Sequence, residues 1–595
     1  MEIFLRLSMV LLVCLAGNFA LAQSPNVVFI LIDDQGWTGT SHQMKSTLGT
    51  SQSDYYHTPN LEQLAQQGMT FSQAYSPASK CSPSRNSILT GQTPAISHLT
   101  NTSVEVDSTK FLYEPSSAIH IDQGLKTFPE LIEEQNANYW TAHYGKWHLG
   151  SGGPAANGFH RSDGNTSNNT GTQGLGIQAD PKLIQQITDS ALAFISDAKA
   201  ANKPFYVQLS HYAVHAPSEL LGTTYNIYGT PGQRPIGVNH TDTLYAGMTE
   251  DVDRTVGQLL DSLTAWGLDS NTYVVYMSDN GSGQGFSNNL PLQQGKAFLN
   301  EGGIRVPLVI RGPNVPQNTY NDIPVIGYDL YPTFMDWMFG NISLPSNVEG
   351  VSIKDLVTGL PVVLNRNNGL IFHSPHYAQS NNKYPESAII KDSFKFMVNY
   401  DLGEFYLYNL NQDIEEQHDL DSIYPQVADS LCLELRNYLK NANAQMPTLN
   451  PTHPNNVNGV AGDWDNDGLS DEWEFRELLT VKYNASDDPD NDGLDNATEQ
   501  ANNTDPYVSN TSTSITQVND EMAVRVFPNP AHHTLQIEGK TDFDKVWLYN
   551  YTGQSVVKRS RGNTLNVRNL PAGVYFLVLW KDGKRVHTEE VTIRH

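Results

Sequence analysis

Cysteine is the scarcest informative residue: three in a chain of 595. That count excludes a disulfide-built scaffold. Positive charge is also short, with 36 Lys and Arg against 63 Asp and Glu and a net charge of −27. Such a balance excludes nucleic acid as a partner. Long apolar runs are missing beyond the first 22 residues, so no transmembrane helix is expected. The opening run carries Arg6 near its start and ends in Ala20-Leu21-Ala22. Residues 1–22 therefore read as a signal peptide, and the mature chain as exported. Cys14 leaves with that segment. Cys432 falls in the helical pattern Val427, Leu431, Leu433, Leu435, Leu439 and reads as core. A Cys81–Cys432 disulfide is conceivable in an oxidising compartment.

The chain is too long for one ordinary domain. Residues 25–340 alternate apolar strand-like runs with helical patterns, which predicts an α/β body with a mostly parallel central sheet flanked by helices. Residues 341–446 hold strand runs at Ser387–Asn399 and Glu404–Asn409 and then the helix around Cys432, so a smaller α+β subdomain is expected. Residues 447–462 are rich in Pro and Asn and read as a linker. An acidic repeat fills 463–507, a polar linker 508–521, and a small all-β sandwich 522–595.

Four apolar strands in the first block each end in polar groups. Asn26–Ile32 runs into Asp33-Asp34, and Thr272–Met277 into Ser278-Asp279-Asn280-Gly281. Phe205–Leu209 leads to His211 and His215, and Tyr139–Ala142 to Gly145-Lys146-Trp147-His148. In parallel sheets ligands bind beyond the carboxyl ends of strands. Asp33, Asp34, Asp279 and Asn280 are oxygen donors without imidazole or thiolate, a set that suits a hard cation. The plain alternative is a helix cap and a turn, which the same residues favour. Two such pairs at buried strand ends favour the metal.

Cys81-Ser82-Pro83-Ser84-Arg85 sits where a polar turn leads into a helix continued by Ile88, Leu89 and Thr90. The string, with Thr90-Gly91 after it, resembles the signature of the type I sulfatases. Gly145–Gly150, Val214-His215-Ala216-Pro217, Ser278–Gly281, Gly295-Lys296 and Glu301–Pro307 are similar to that family's pattern in the same order, as are Asp329–Thr333 and Glu349–Ser352. The resemblance spans residues 25 to about 440 and implies an alkaline-phosphatase-like fold. It implies that Cys81 is oxidised by a maturation enzyme to formylglycine, which discounts a disulfide at that sulfur.

Carried over, Asp33, Asp34, Asp279 and Asn280 would hold calcium in preference to magnesium, with the modified Cys81 as a further ligand. Arg85 would fix the formylglycine hydrate. Lys146 and Lys296 would hold sulfate oxygens, His148 would act as base, and His215 would protonate the leaving alcohol or steady the sulfate. The chemistry asks for these types: cations for equatorial oxygens, a proton donor, and a nucleophile whose sulfated form can collapse. The sequence departs from many relatives at Gln92, where they carry Arg, and in Gly/Asn/Ser-rich insertions at 100–125 and 151–178 that would build the substrate rim. His42, His98 and His211 lie near motif segments.

The acidic repeat carries Asp463, Asp465, Asp467 and Gly468 with Glu474 at the twelfth position, and then Asp488, Asp490, Asp492 and Gly493 with Glu499. This is an EF-hand-type loop met twice, a calcium cage of spaced oxygens with a glycine for the turn. Its flanks are short, and the segment resembles thrombospondin type 3 or dockerin-like repeats, read here as a calcium-stiffened spacer. Val524–Pro530 and Leu570–Phe576 make the tail similar to the sorting domain of the Bacteroidetes type IX secretion system, implying a secreted or surface-attached protein that meets that machinery. The expected function is an exported, calcium-dependent sulfatase acting on sulfated carbohydrate. A phosphatase or phosphonate monoester hydrolase of the same superfold, and an inactive surface protein that binds sulfated glycans, are the alternatives.

Overall fold

The computed structural model describes residues 24–509 apart from 104–108, 229–233, 284–286, 379–382, 451–452, 454–462, 464–465, 480–482 and 491. It also describes 525–594 apart from 530, 539–542, 551–554, 561 and 582–583. The expected signal peptide and most of both linkers lie outside the described residues. Residues up to 509 and from 510 onward form two separate compact units.

Every residue of strand β1 (Asn26–Ile32) is buried. A strand apolar on both faces needs cover on both. Val28, Ile30 and Ile32 enter a core shared with helices of residues Ile184–Ala200 and Thr243–Ala265. Val27, Phe29 and Leu31 enter a second core, roofed by Ile88 and Leu89 of helix α1 (Cys81–Thr90) and by Leu330–Phe339. The central sheet has eight strands. Its further members are β2 (Met69–Phe71), β3 (Trp140–Gly145), β4 (Arg161–Ser162), β5 (Phe205–Ser210), β6 (Thr272–Ser278), β7 (Leu308–Arg311) and β8 (Thr319–Asn321). Their order is β8-β2-β7-β6-β1-β5-β3-β4. Only β7 runs against its neighbours, so the sheet is mostly parallel.

Register decides where the chemistry collects. Ile32 pairs with Ser278, Leu31 with Ser210, and Gly145 with Ser210. The carboxyl ends of β6, β1, β5 and β3 therefore finish at one level, and the residues that follow them share one crevice.

A four-stranded antiparallel sheet follows, β9 (Leu370–Ser374), β10 (Glu386–Lys391), β11 (Phe394–Asn399) and β12 (Glu404–Asn409). The single run expected over Ser387–Asn399 is a hairpin, turned at Asp392 with φ 55°. One face packs Ile389, Phe396 and Leu407 under Leu431, Cys432 and Leu435 of helix α2 (Pro425–Asn441). The other packs Phe372, Ala388 and Met397 against Tyr75, Leu299 and Ile304 of the α/β body. Cys432 is buried core and both Cys81 and Cys432 are free thiols.

The acidic segment does more than separate two parts. Phe475 and Leu479 are buried in the core that holds α2. The buried Arg436 of α2 donates to Glu477 at 2.6 Å and Asp505 at 2.7 Å. Trp473, Leu469 and Leu478 make a small core of their own. Thr448 and Leu449, at the start of the expected linker, pair with Tyr113 and Leu112. Short repeats bury too little apolar surface to stand alone, so these lean on the subdomain beside them.

The second unit is all β. A three-stranded and a four-stranded antiparallel sheet share one core of Leu535, Ile537, Leu548, Leu577, Leu579 and Val591. Among the described residues no helix is long and apolar enough to cross a membrane.

If the acidic segment is part of the first compact unit, Phe475→Ala should destabilise that unit by about 3 kcal/mol. Thermal unfolding of the full chain, followed through that unit, checks this. An unchanged midpoint would mean that the segment hangs free.

Candidate active site

The local fold of each strand end presents one functional group. Asp33 leaves β1 with its N–H bonded to the Ala213 carbonyl at 3.0 Å. Asp34 then takes a left-handed backbone, φ 61°, which turns its carboxylate back into the crevice. That conformation is uncommon outside glycine and marks a constrained site. The Asp34 carbonyl accepts from Tyr245 OH at 3.1 Å, and its N–H donates to Asp279 Oδ1 at 3.2 Å. After β3, Gly145 has φ 92°, and a Cβ there would meet the Ser210 carbonyl oxygen at 2.1 Å. Only glycine lets the backbone pass this close and still deliver Lys146.

Helix α1 brings the other half. Cys81 is its first residue, and Arg85, one turn on, lies on the same face. Ser84 Oγ donates to the Ala78 carbonyl at 2.8 Å and so pins the turn before the helix. Pro83 is tolerated because it stands in the first turn, where its missing N–H has no intrahelical partner.

The charged groups interlock. Lys146 Nζ donates to Asp33 Oδ2 at 2.5 Å. Arg85 donates through Nε to Asp279 Oδ2 at 2.8 Å and through Nη1 to the Lys146 carbonyl at 2.7 Å. Lys296 Nζ contacts Asp34 Oδ1 and Oδ2 at 2.7 and 2.8 Å and Cys81 Sγ at 3.3 Å. Asn280 Nδ2 donates to Asp34 Oδ1 at 2.7 Å. Cys81 Sγ is 3.8 Å from Asp34 Oδ1, and His215 Nε2 is 3.8 Å from Asp34 Oδ2. His148 Nδ1 lies 3.2 Å from Ser82 Oγ, which itself donates to the His148 carbonyl at 2.9 Å. With its proton spent there, Ser82 accepts from Nδ1–H, and the lone pair of His148 falls on Nε2.

Burial and charge then set protonation. Burial works to raise the Asp33 and Asp34 carboxyls, but opposing charge outweighs it and holds both below the usual range: Lys146, His215, Arg85 and Lys296 at Asp33, and Lys296, His215 and Lys146 at Asp34. Asp279 goes the other way, to about 7, pushed up by burial and then by the charge on Asp33. Of the three carboxylates, Asp279 is the one the neighbouring cations compensate least. Burial also pushes the Cys81 thiol up to about 12 and the His148 imidazolium down to about 3.

The donor set fits a hard cation. Ligand atoms of Asp33, Asp34, Cys81 and Asp279 lie within 4.8 Å of one another. Asp33 Oδ1 and Asn280 Oδ1 are buried with no hydrogen-bond partner, and buried oxygens of this kind ask for one.

The two acidic loops share a hydrogen-bond pattern among the described residues. Asp463 Oδ1 and Oδ2 accept from the Asp467 and Gly468 N–H, both at 3.1 Å. Asp488 accepts from Asp492 and Gly493 at 3.2 and 3.0 Å. Gly468 and Gly493 have φ 101° and 93°. Asp488, Asp490 and Asp492 cluster within 4.8 Å, and Glu474 and Glu499 are fully buried. Asp465 lies outside the described residues. Burial, then Asp490 and Asp492, lift Glu499 to about 7.

Residues 25–341, just over half of the chain, match the family model described as Sulfatase. The chain belongs to the sulfatase family. It is thereby a sulfuric ester hydrolase. Residues 294–445 of this sulfatase match the C-terminal model of N-sulphoglucosamine sulphohydrolase, and 525–594 match the secretion system C-terminal sorting domain. The last match indicates export to the cell surface or exterior. A sulfatase of Formosa agariphila is 28% identical over 499 residues, covering 70% of this chain and 88% of its own. The N-acetylgalactosamine-6-sulfatase of Canis lupus familiaris is 29% identical over 343 residues, 52% of this chain and 61% of that protein. Among solved structures, Ps i-CgsB in complex with k-i-k-neocarrahexaose has a TM-score of 0.57 at 24% identity, covering 70% of this chain and 93% of that one. A protein solved with its substrate D-glucosamine-2-N,6-O-disulfate has a TM-score of 0.54 at 20% identity, covering 71% and 98%. At those identities the likeness is one of fold.

The crevice gathers all the expected site residues of the α/β body: Asp33, Asp34, Cys81, Arg85, Lys146, His148, His215, Asp279, Asn280 and Lys296. Sequence reasoning passed over Ser82, the variable position of the Cys-x-Pro-Ser-Arg string, which orients His148. It also passed over Tyr245, whose contact with Asp34 spans 211 residues of chain. His42 bonds Thr70 and His98 bonds the Asn443 carbonyl, so those two rings are engaged elsewhere, and His211 is buried.

Gly145→Ala should push β3 from β5 and displace Lys146 from Asp33. The expected outcome is a melting midpoint lowered by about 5 °C or more, with sulfate ester turnover falling in the same variant. A midpoint and rate equal to those of the unsubstituted chain would show that the strand ends can separate without cost.

Proposed function

We propose that this exported sulfatase hydrolyses sulfate esters of carbohydrate through a formylglycine made from Cys81. The supporting observation is the position of Cys81 Sγ, 3.3 Å from Lys296 Nζ and within 4.8 Å of the ligand atoms of three buried carboxylates. A thiol pushed up to about 12 is a poor nucleophile at neutral pH. A converted side chain suits that surrounding better than a thiolate.

Asp33, Asp34, Asp279, Asn280 and the converted Cys81 would hold a calcium ion, which suits the hard oxygen set and supplies positive charge against the ester's oxygens when bound. Lys146 and Lys296 would hold the sulfate oxygens, and Arg85 the aldehyde hydrate. One hydrate oxygen would bond to sulfur, passing its proton to a neighbouring carboxylate such as Asp34, 3.8 Å from Cys81 Sγ, as the S–O bond to the alcohol breaks. His215, with Nδ1 held by the Ala216 carbonyl at 2.6 Å, presents Nε2 to that leaving oxygen and would give it a proton in the imidazolium form, which burial disfavours and the Asp34 and Asp33 carboxylates favour. His148 Nε2 then takes the proton of the second hydroxyl, the aldehyde re-forms, and sulfate departs. Water restores the hydrate.

Carbohydrate is favoured by the sorting tail and by the sugars that give similar proteins their names or were bound in their structures. In the acidic segment, Asp463, Asp465, Asp467 and Glu474, and Asp488, Asp490, Asp492 and Glu499, would each hold a structural calcium. Their fit rests on the twin loop geometry and on the buried, unpartnered Asp490 Oδ2. The partners implied are a maturation enzyme and the type IX secretion machinery.

Mass spectrometry of the peptide from Lys80 to Arg85 should find an aldehyde at position 81; thiol alone would overturn the nucleophile. Cys81→Ala should lower turnover of 4-nitrophenyl sulfate by about a millionfold while leaving the melting curve in place. Faster turnover of 4-nitrophenyl phosphate than of the sulfate would reassign the chemistry to phosphoryl transfer. Chelation of calcium should lower the melting midpoint and speed proteolysis between residues 463 and 507. Indifference to chelator in both measurements would remove calcium from the account.

A further inference from the structure

Lys80 directly precedes Cys81. Its backbone is extended, φ −137° and ψ 151°, and its carbonyl accepts from the Ser84 N–H at 3.2 Å. The main chain is thus committed to starting α1, and the side chain leaves the helix. Its Nζ donates to Asn101 Oδ1 at 2.9 Å. Among the described residues no carboxylate forms an ion pair with it. The fields of Glu114, Lys296 and Cys81 reach it, which places Lys80 in the surroundings of the reacting centre. Glu114 is already engaged, accepting from the Tyr377 N–H at 2.7 Å and lying 3.5 Å from His376 Nδ1.

Asn101 is held for the purpose. Its N–H and that of Thr100 donate to Ser117 Oγ at 2.9 and 3.0 Å. Thr100 Oγ1 meets His376 Nε2 at 2.7 Å, and the Leu112 N–H donates to Tyr377 OH at 3.0 Å. The loop that offers Asn101 is pinned from the side of the antiparallel sheet. Asn101 Oδ1 accepts from both Lys80 and the Thr102 N–H. Its Nδ2 donates to nothing among the described residues. Among the described residues, two protons of the Lys80 ammonium and those of the Asn101 amide have no acceptor.

We propose that Lys80 and Asn101 form an anion subsite next to Cys81 that recognises a second anionic group of the substrate, a sulfate or a carboxylate on the same sugar or its neighbour. The proposal rests on the reading of Cys81 as the reacting centre. A half-buried cation without a counter-ion is costly, and an anionic oxygen would relieve it with charge-assisted hydrogen bonds. The substrate class is then a multiply anionic glycan. This local preference is independent of the overall charge of −27, since nearby groups dominate a pocket's field.

The test measures affinity by calorimetry in calcium-loaded Cys81→Ala protein, which leaves ligands intact, with and without Lys80→Met. The probes are a monosulfated galactose, a disulfated galactose and a monosulfated chondroitin disaccharide. A second anion should tighten binding about tenfold or more, and Lys80→Met should remove that gain, with Lys80→Arg restoring part of it. A gain with the disulfated galactose alone assigns the subsite to sulfate, and with the chondroitin disaccharide alone to carboxylate. No gain with either probe, or a gain that survives Lys80→Met, overturns the proposal. Failure of the unsubstituted chain to turn over any sulfate ester would instead overturn the role of Cys81, and the affinity difference would still be read.

Discussion

Three buried carboxylates held together by opposing charge are the constraint on which the rest of the molecule depends. Asp33, Asp34 and Asp279 lie within a few ångströms of each other, all buried. Left alone they would repel and bind protons. Lys146, Arg85 and Lys296 oppose this, each arriving from a different part of the chain. The parallel register of β1 with β5 and β6 is what forces the acids together, and the cations are what make that register tolerable. Asp279 remains pushed toward about 7 even so. Asp279 is the acid that Lys146, Arg85 and Lys296 compensate least.

The antiparallel subdomain serves that crevice from outside. Lys395 of β11 reaches Glu416 at 2.6 Å and Glu301 at 3.1 Å, all three buried. Glu301 stands five residues beyond Lys296, and its N–H donates to Glu416 at 2.8 Å. Breaking one partner of such a buried set leaves an uncompensated charge, which costs several kcal/mol. The segment that delivers Lys296 is thus clamped by the second sheet. Tyr377 and His376 hold Leu112 and Thr100 in place from the same side. The acidic repeat braces α2 through Arg436, so the support extends past the subdomain into a part of the chain that the sequence suggested was only a spacer.

Much of the site was legible because local pattern and chemistry coincide there. Asp33-Asp34 and Asp279-Asn280 follow uninterrupted apolar runs, and only fully buried strands of a parallel sheet read that way. Cys81 and Arg85 are four apart, and helix geometry alone puts them on one face. Ser82 escaped notice because a lone serine has many uses, and its value depends on where His148 comes to rest. Tyr245, Lys80 and Asn101 were passed over for a related reason: each acts through a partner distant in sequence or on a loop without periodicity. Phe475 and Leu479 looked like punctuation in an acidic stretch until α2 supplied a surface to bury them.

By itself the sequence determined the element types, the family pattern, the identity of the oxygen donors and the twin acidic loops. Those are properties of short windows, where periodicity, turn chemistry and spacing act within a few residues. Tertiary structure alone decided which cation faces which acid, that Ser82 points His148, and that the acidic loops are braced against α2. These outcomes depend on register and packing between segments hundreds of residues apart, and electrostatic energy falls so steeply with distance and burial that no pairing follows until the chain has closed.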